Sequence, residues 1–430
     1  MAATPARPAP LRRSLGVVDA TTLGVGSMVG AGVFVVLSPV AARAGGLLWA
    51  ALLAAAGIAV ANALAVAALA AAHPASGGAY LYGRLRLGQW PGFVAGWGFV
   101  TGKTASCAAM AYTFATYAAP GVAVPLAIGA VAAVTGVNLL GITRTAGAAR
   151  LLVAPVVGLL AFVVAASFAA PRPAEPPPAA EQPTAWAVLQ AAGLLFFAFA
   201  GYARVATLGE EVRDPERTIP AAIALALGFT LVLYGLLAAA LVHLLGVGGL
   251  AAATAPVREA VVLLGAPAWL AAAGAALASL GALMALVAGI SRTALAMARE
   301  GDLPGRFAAV SAKRSVPWLA EVSVAAVVVV LLLSTDATTI IGFSSFGVLV
   351  YYAVANASAL TLPPRARTER ARRQPERPWY CPRWLNAAGL AGCLLLAFTL
   401  PGASVATMLA VFAAGLAGRA VALAVRRRDA

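Results

Sequence analysis

The sequence predicts an all-α membrane protein with about twelve transmembrane helices, and three observations support this fold class. First, 62% of the 430 residues are hydrophobic and 10% are charged, which is too much apolar surface for a soluble domain. Second, apolar segments of about 20 residues, the length that crosses a bilayer, recur along the whole chain. Third, most lysines and arginines fall in alternate connections between these segments, as the positive-inside rule requires.

The predicted transmembrane segments are called spans 1 to 12 below. They cover residues 17–42, 46–72, 91–119, 121–141, 150–170, 186–208, 219–245, 268–297, 318–335, 338–361, 384–401 and 403–424. An even number of spans puts both termini on one side of the membrane, and the arginines place that side in the cytoplasm. The sequence therefore predicts a multi-pass protein of the cell membrane with cytoplasmic N- and C-termini.

A proline-rich stretch divides the spans into two sets of five. It has no helical periodicity, so we expect an outer loop there. Spans 11 and 12 fall outside the two sets. The expected organisation is a cytoplasmic N-terminus (1–16), spans 1 to 5 (17–170), the outer loop (171–185), spans 6 to 10 (186–361), a basic cytoplasmic loop (362–383), spans 11 and 12 (384–424) and a cytoplasmic C-terminus (425–430).

The net charge of +15 reflects membrane topology rather than nucleic-acid binding. Apart from a few in outer loops or within spans, the basic residues fall in the N-terminus, the alternate loops and the C-terminus. Cys107, Cys381 and Cys393 lie in spans or in the inner loop, so no disulfide-linked subunit is expected. His73 and His243 stand near span ends without a second ligand at metal spacing, so neither a metal nor a cofactor is expected.

Span 1 contains a glycine-rich stretch, LGVGSMVGAGVFVVLSP, from Leu23 to Pro39. In hydrocarbon a helix break is tolerated only where the freed backbone is buried in protein or lines a cavity. A helix that restarts near Gly30 would direct its unpaired N–H groups and the positive end of its dipole at the break, and such an end attracts a carboxylate. The alternative is that Gly26 and Gly30, four residues apart, only permit close helix crossing.

Span 6 carries a second interruption, centred on Gly201 in GLLFFAFAGYARVATLG. Two interrupted spans at corresponding places in two halves of a chain indicate the binding site of a secondary transporter. The same positions favour inverted repeats related by an axis in the membrane plane. The two halves show negligible identity by eye, so the repeat is inferred from the breaks.

Three stretches form recognisable motifs in a fixed order: GVGSMVGAGVF in span 1, PASGGAYLYGRLRLGQWPGFVAGW between spans 2 and 3, and FAFAGYARVATLGEEVRDPERTIPAAI in and after span 6. Together they resemble the amino acid, polyamine and organocation (APC) permease superfamily, and the third is closest to the cationic amino-acid transporter branch. The resemblance runs from about Leu15 into span 10. It implies a leucine-transporter-like fold, with a five-plus-five inverted repeat, discontinuous helices 1 and 6, and an amino acid bound between them.

The breaks and the resemblance together select the candidate binding residues. The N–H groups of Ala31, Gly32 and Val33 would bind the carboxylate of an amino acid, and nearby carbonyls would bind its ammonium. An aromatic residue of helix 6 covers the substrate in this family, so Phe197 and Tyr202 are gate candidates; plain packing is the alternative for each. The full candidate set is Ser27, Met28, Gly30, Ala31, Gly32, Val33, Lys103, Thr104, Phe197, Ala200, Gly201 and Tyr202.

Lys103 lies well inside span 3, where an ionisable residue marks function by default. With Thr104 it matches the part of helix 3 that lines the side-chain pocket in related permeases. A cation there disfavours a cationic cargo and favours a neutral or acidic amino acid. Proton-coupled bacterial relatives carry a lysine midway along helix 5, but the matching stretch from Leu151 to Phe162 has no titratable group. Lys103 is therefore the candidate coupling residue for protons, and a permanent bond to a carbonyl or carboxylate is the alternative.

Arg204 follows the second break, where the resembled branch tends to have a small residue. Its guanidinium could bind a substrate carboxylate or pair with Glu210 or Glu211. Arg204, Glu210, Glu211 and Arg213 are the candidates for a cytoplasmic gate of ion pairs. A solvated loop at the membrane surface is the alternative.

These features predict secondary active transport of amino acids, with protons as the candidate coupling ion. An exchanger without proton coupling, or a transporter of polyamines or other amines, is the alternative within the same class. A transport-inactive amino-acid-binding receptor or partner subunit is the alternative from another class. An intramembrane enzyme is disfavoured, because no span carries paired carboxylates or a nucleophile with its base. The expected partners are an amino acid and the lipid bilayer.

Overall fold

The described part of the protein is built from α-helices. The computed structural model describes residues 15–73, 77–140, 146–171, 183–206, 208, 211–311, 314, 316–363 and 381–428. Within these ranges the one extended pairing is an isolated bridge between Leu15 and Val212. The predicted all-α class is therefore confirmed.

The helices of the described ranges are numbered here in chain order. They are α1 (Val17–Met28), α2 (Ala31–Val35), α3 (Leu37–Ala44), α4 (Leu48–Ala72), α5 (Gly78–Leu87), α6 (Gln89–Ala118), α7 (Ala123–Leu139), α8 (Ala146–Ala169), α9 (Ala185–Phe199), α10 (Ala203–Ala206), α11 (Pro215–Ala252), α12 (Pro256–Leu263), α13 (Trp269–Arg299), α14 (Trp318–Ser334), α15 (Ala337–Leu360), α16 (Arg383–Thr399) and α17 (Gly402–Arg428). Short 3₁₀ turns lie at Gly45–Leu47, Pro120–Val122, Ala200–Tyr202 and Gly305–Ala308.

These helices form where the apolar segments were predicted. Span 1 corresponds to α1, α2 and α3, and span 6 corresponds to α9 and α10. Within the described ranges nine segments have the length and composition to cross a membrane, and α14 and α16 are shorter apolar helices. The protein is therefore a multi-pass membrane protein. The count of twelve crossings, the inverted repeat and the orientation of the termini stay predictions.

Two helices lie in regions that the sequence assigned to loops, and both are too short to cross a bilayer. The first is α5, which begins after Gly77 (φ +136°) and ends at Gly88 (φ +106°), two conformations that favour glycine. The second is α12, between α11 and α13. In addition, α11 continues to Ala252, beyond the predicted end at residue 245, through a kink at Gly246 (φ +67°).

Helix ends are set by local chemistry. The Thr184 side chain accepts a hydrogen bond from the Ala187 N–H (3.2 Å) at the start of α9. The Asp336 carboxylate accepts one from the Thr339 N–H (3.0 Å) at the start of α15. Both are N-caps, which satisfy amide donors that a helix start leaves unpaired.

Close glycine contacts bring α6 and α15 together beside the breaks. A Cβ placed on Gly347 of α15 would lie 2.5 Å from the Gly98 carbonyl oxygen and 2.7 Å from the Gly102 Cα of α6. Small residues let membrane helices approach in this way. This contact holds the middle of α6, which carries Lys103, against α15, which carries Tyr352.

Candidate binding site at the two helix breaks

The first break separates α1 from α2 at Val29 and Gly30. The Val29 N–H still donates to the Val25 carbonyl (2.6 Å), but the Gly30 N–H turns back to the Met28 carbonyl (2.8 Å). Gly30 has φ −103° and ψ −147°, which is not helical, and α2 restarts at Ala31. Span 1 is therefore interrupted where the glycines predicted it.

The restarted helix α2 presents amide donors to the first break. No acceptor among the described residues forms a hydrogen bond with the N–H groups of Ala31, Gly32 or Val33. These are the first amides of a helix, which have no partner inside the helix itself. They are the groups that the sequence assigned to a carboxylate.

The second break is a tightening of the helix rather than a gap. Helix α9 ends at Phe199, a 3₁₀ turn runs through Ala200–Tyr202, and α10 follows. The Ala200 N–H donates to the Phe196 carbonyl, and the Ala203 N–H donates to the Gly201 carbonyl. The change from α-helical to 3₁₀ hydrogen bonding is typical of functional hinges.

The two breaks touch each other. A Cβ on Gly201 would collide with the carbonyl group of Ser27 and would lie 2.5 Å from the Met28 nitrogen. One turn away, a Cβ on Gly32 would lie 2.8 Å from the Ala198 Cα. At Gly201 and Gly32, glycine therefore permits the close packing of the two breaks, and the binding of a ligand there stays a prediction.

Carbonyls at both breaks accept hydrogen bonds from side chains of distant helices. The Tyr234 hydroxyl of α11 donates to the Met28 carbonyl (2.7 Å) and lies 3.4 Å from the Ala198 carbonyl. Lys103 Nζ of α6 and the Tyr352 hydroxyl of α15 both donate to the Ala200 carbonyl, each at 3.2 Å. Tyr234 and Tyr352 were not among the predicted site residues.

The structure thus brings Lys103 to the second break. Its side chain is 6% exposed, and no ion pair joins it to a carboxylate of the described residues. The neighbouring Thr104 is also buried, but its hydroxyl donates to the Val100 carbonyl of its own helix (2.7 Å). Of the two predicted residues on α6, Lys103 is the one that bonds to a break.

The aromatic residues around the second break are packed inside the protein. Phe197 is 7% exposed, and Tyr202 is fully buried and stacks on Tyr352 with ring centroids 4.9 Å apart. Phe199 lies 5.4 Å from the Tyr234 ring. Ring contacts thus hold Tyr202 and Phe199, and the gate role of Phe197 or Tyr202 stays a prediction.

The surroundings of Gly30 are apolar. A Cβ on Gly30 would lie 3.2 Å from the Ala282 Cβ of α13, and 3.9 Å from both the Ala278 carbonyl oxygen and the Met110 Cε of α6. The first break therefore faces α6 and α13 mainly through small or flexible apolar side chains, with one backbone carbonyl nearby.

A tyrosine joins three elements on the side of the first break away from α1. The Tyr117 hydroxyl of α6 donates to the Phe34 carbonyl of α2 (2.8 Å) and accepts from the Val257 N–H of α12 (3.2 Å). The Phe34 and Tyr117 rings meet edge to face, with centroids 5.5 Å apart. This tyrosine therefore links α2, α6 and α12.

The predicted inner gate residues are only partly described. Glu210 lies outside the described residues. Arg204 is partly buried near the charges of Glu211 and Arg292, and Arg213 is exposed. The backbone of this region pairs with the N-terminal segment, since the Leu15 N–H donates to the Glu211 carbonyl (3.1 Å) and the Arg213 N–H to the Leu15 carbonyl (2.9 Å).

The structure also contains an ion-pair cluster around Asp302 that the sequence analysis did not predict. Asp302, after α13, pairs with Arg84 of α5 (2.6 Å) and Arg419 of α17 (2.8 Å), and it accepts a hydrogen bond from the Tyr80 hydroxyl (2.9 Å). Arg419 is 3% exposed and lies over the Trp90 ring at 4.5 Å. No role was predicted for Arg419 from the sequence, and the structure shows its charge buried against Asp302.

Polar residues inside other apolar helices also form hydrogen bonds across helices, and the sequence shows where they are. Asn356 of α15 donates to Asn62 of α4 (2.6 Å), and the Cys393 thiol of α16 donates to the same Asn62 oxygen (3.2 Å). Asn and Tyr are polar groups inside otherwise apolar segments, and such groups hydrogen-bond across helices in membranes. Attention to every polar residue in a span, not only to the ionisable ones, would have identified Tyr234, Tyr352 and this pair.

Comparison with known proteins gives a consistent result. A family model described as amino acid permease matches residues 15–416 of the chain. The chain is similar to an uncharacterized transporter of Mycobacterium tuberculosis, with 50% identity over 426 residues that cover 98% of this chain and 94% of the relative.

More distant relatives carry substrate names. A branched-chain amino acid permease of Bacillus subtilis is 27% identical over 340 residues, which cover 72% of each chain. Cationic amino acid transporter 7 of Arabidopsis thaliana, a chloroplastic protein, is 29% identical over 384 residues, which cover 81% of this chain and 65% of the relative.

Proposed function

The chain belongs to the amino acid permease family, and from this membership we propose that it carries free amino acids across the cell membrane by alternating access. Membership confirms the resemblance seen in the three sequence motifs and identifies a transporter, not an enzyme. The observation that carries the finer proposal is the contact of the two breaks, where Gly201 packs directly on the backbone of Ser27 and Met28. This contact puts amide donors and carbonyl acceptors within one small region.

The proposed site recognises the two ends that all free α-amino acids share. The carboxylate binds the N–H groups of Ala31, Gly32 and Val33, at the positive end of α2. The ammonium binds carbonyls of the second break, chiefly those of Phe197 and Ala200, with those around Ser27 and Met28. The hydrogen bonds that Met28 and Ala200 accept from side chains support this assignment, because they show that these oxygens are accessible to donors outside their own helices.

The cargo is proposed to be a neutral or acidic amino acid rather than a cationic one. The substrate names of the relatives point in different directions, since one is a branched-chain permease and another a cationic transporter. Two local features support the choice: the apolar groups around Gly30, and the buried ammonium of Lys103 beside the second break. The α-ammonium and α-carboxylate of a cargo cancel in net charge, whereas a cationic side chain would add a net positive charge near Lys103 in this interior.

Lys103 is the proposed coupling residue if uptake is driven by protons. If the Lys103 bond to the Ala200 carbonyl instead involves no proton transfer, the second candidate function follows, an amino-acid exchanger that uses no proton gradient. Lys103→Gln separates the two in reconstituted vesicles. Proton coupling through Lys103 predicts loss of uptake driven by a pH gradient with exchange retained, and persistence of pH-driven uptake would rule it out.

Binding and uptake of unmodified amino acids test the main proposal. A ligand at a hundredfold excess over its Kd stabilises the folded state by about 2.7 kcal/mol. We expect one or more neutral or acidic amino acids to raise the unfolding temperature of the purified protein and to be taken up by proteoliposomes. Stabilisation confined to arginine, lysine or putrescine would contradict the proposed cargo class.

A further inference from the structure

Two side chains donate to the Ala200 carbonyl at the second break. One of them, Lys103, ends in an ammonium, the group that the proposed cargo also carries. Lys103 Nζ and the Tyr352 hydroxyl each lie 3.2 Å from this oxygen. A carbonyl oxygen has two lone pairs, so the two donors use its accepting capacity. An amino acid that binds here through its ammonium has to replace at least one of them.

Lys103 is poorly satisfied for a buried cation. It is 6% exposed, and the bond to Ala200 is its one hydrogen bond with the described residues. An ammonium has three N–H donors, and burying a charge without full pairing is unfavourable. Because this arrangement does not favour stability, an intramembrane lysine in it is better explained by a function.

Tyr352 is held more firmly than Lys103. Its ring stacks on Tyr202 at 4.9 Å and meets Tyr351 at 5.3 Å and Phe196 at 6.3 Å. Displacing Tyr352 would disturb all three ring contacts, whereas displacing the flexible chain of Lys103 breaks one hydrogen bond. Lys103 is therefore the donor that leaves when another ammonium arrives.

We propose that Lys103 is a built-in competitor of the cargo, whose side-chain ammonium binds the Ala200 carbonyl until the ammonium of an amino acid displaces it. This inference rests on the proposed function, because it takes Ala200 as part of the amino-acid site. It assigns Lys103 a role in specificity: an ammonium replaces this charge-assisted bond better than a neutral donor does, and the displaced Lys103 then repels a cationic cargo side chain.

The test compares the wild type with Lys103→Met, which removes the amine and keeps a flexible, unbranched chain. Thermal unfolding of both purified proteins is measured with each of the twenty L-amino acids, and Kd is titrated for every amino acid that stabilises either protein. We expect K103M to bind the same amino acids about fivefold more tightly, the effect of one hydrogen bond.

Two controls separate competition from a loosened fold. The des-amino analogue of each bound amino acid has no ammonium to compete with Lys103, so K103M is expected not to bind it more tightly than the wild type does; because the analogue is an anion, loss of the Lys103 charge can only weaken its binding. A general loosening would change both kinds of ligand alike. Lys103→Gln keeps a polar group at this position if K103M does not fold, and it is expected to strengthen amino-acid binding by a smaller factor.

The outcomes distinguish this inference from the function on which it rests. Equal or weaker amino-acid binding by K103M and K103Q, with binding by the wild type intact, would overturn the competitor role and leave the proposed function standing. If no amino acid binds to the wild type or is taken up by it, the proposed function fails and the competitor role fails with it.

Discussion

The two helix breaks use glycine in different ways. At the first break α1 stops, two residues leave the helix, and α2 begins with amide donors that have no acceptor among the described residues. At the second break α9 tightens into a 3₁₀ turn, and the Ala200 carbonyl accepts from Lys103 and Tyr352. The first break therefore adds amide donors to a Met28 carbonyl that Tyr234 already uses, whereas the second offers a carbonyl that Lys103 and Tyr352 already use.

The difference teaches how such a site can recognise a zwitterion. A restarted helix presents N–H groups and the positive end of its dipole, which suit a carboxylate. The 3₁₀ turn at the second break leaves the Ala200 carbonyl accepting from donors on other helices, and a carbonyl oxygen suits an ammonium. The sequence reflects this contrast, because four glycines surround the first break and Gly201 alone, flanked by aromatic residues, marks the second.

The largest loss of stability and uptake is expected from a substitution where the two breaks touch. Gly201→Ala puts a Cβ against the Ser27 carbonyl group, a backbone contact that no side-chain rotation can relieve. Overpacking of this kind typically costs about 1–3 kcal/mol, and we expect uptake to fall at least about tenfold. Thermal unfolding and proteoliposome uptake measure the two effects.

Gly228→Ala is the matched control for this change. Nothing lies within 4 Å of a Cβ at Gly228 on α11, so stability and uptake should stay close to wild type. If Gly201→Ala behaved like Gly228→Ala, the close contact of the two breaks would be wrong.

An intermediate loss of stability is expected from a change at Tyr234, the side chain that contacts both breaks. Tyr234→Phe keeps the ring beside Phe199 but removes the hydroxyl that donates to the Met28 carbonyl. Loss of one hydrogen bond lowers stability by about 1 kcal/mol, and the unfolding temperature reports it. Tyr112→Phe, at a partly buried tyrosine of α6 whose hydroxyl has no described hydrogen bond, is the control. Equal shifts for the two variants would mean that the Tyr234 hydroxyl does not stabilise the breaks.

The smallest loss of uptake is expected from a substitution at Gly30, because its backbone does not adopt a positive φ. Gly30→Ala puts a Cβ 3.2 Å from the Ala282 Cβ, so a shift of a few tenths of an ångström suffices. We expect uptake to fall about threefold and Ala282→Gly to restore it, since coupled neighbours interact by about 0.5–3 kcal/mol in double-mutant cycles. Additive effects of the two changes would show that Ala282 is not the residue that limits Gly30.

The candidate site was only partly predictable from the sequence, and its residues show which contacts a local pattern does not reveal. The amides of Ala31, Gly32 and Val33 could be named in advance because a helix start always leaves its first N–H groups unpaired. Lys103 could be selected because it is charged inside an apolar span. Its contact with Ala200, 97 residues away, could not be derived, and neither could the role of Tyr234, 206 residues from Met28.

The sequence by itself determined the membrane helices, the position of both breaks and the family, because these depend on apolar length, on glycine and on short motifs that neighbouring residues carry. Only the tertiary structure decided that Gly201 lies on Ser27, that Lys103 and Tyr352 share one carbonyl, and that Arg419 is buried against Asp302. These contacts join helices far apart in the chain, and which faces meet depends on how all the helices pack together, which no single stretch of sequence specifies.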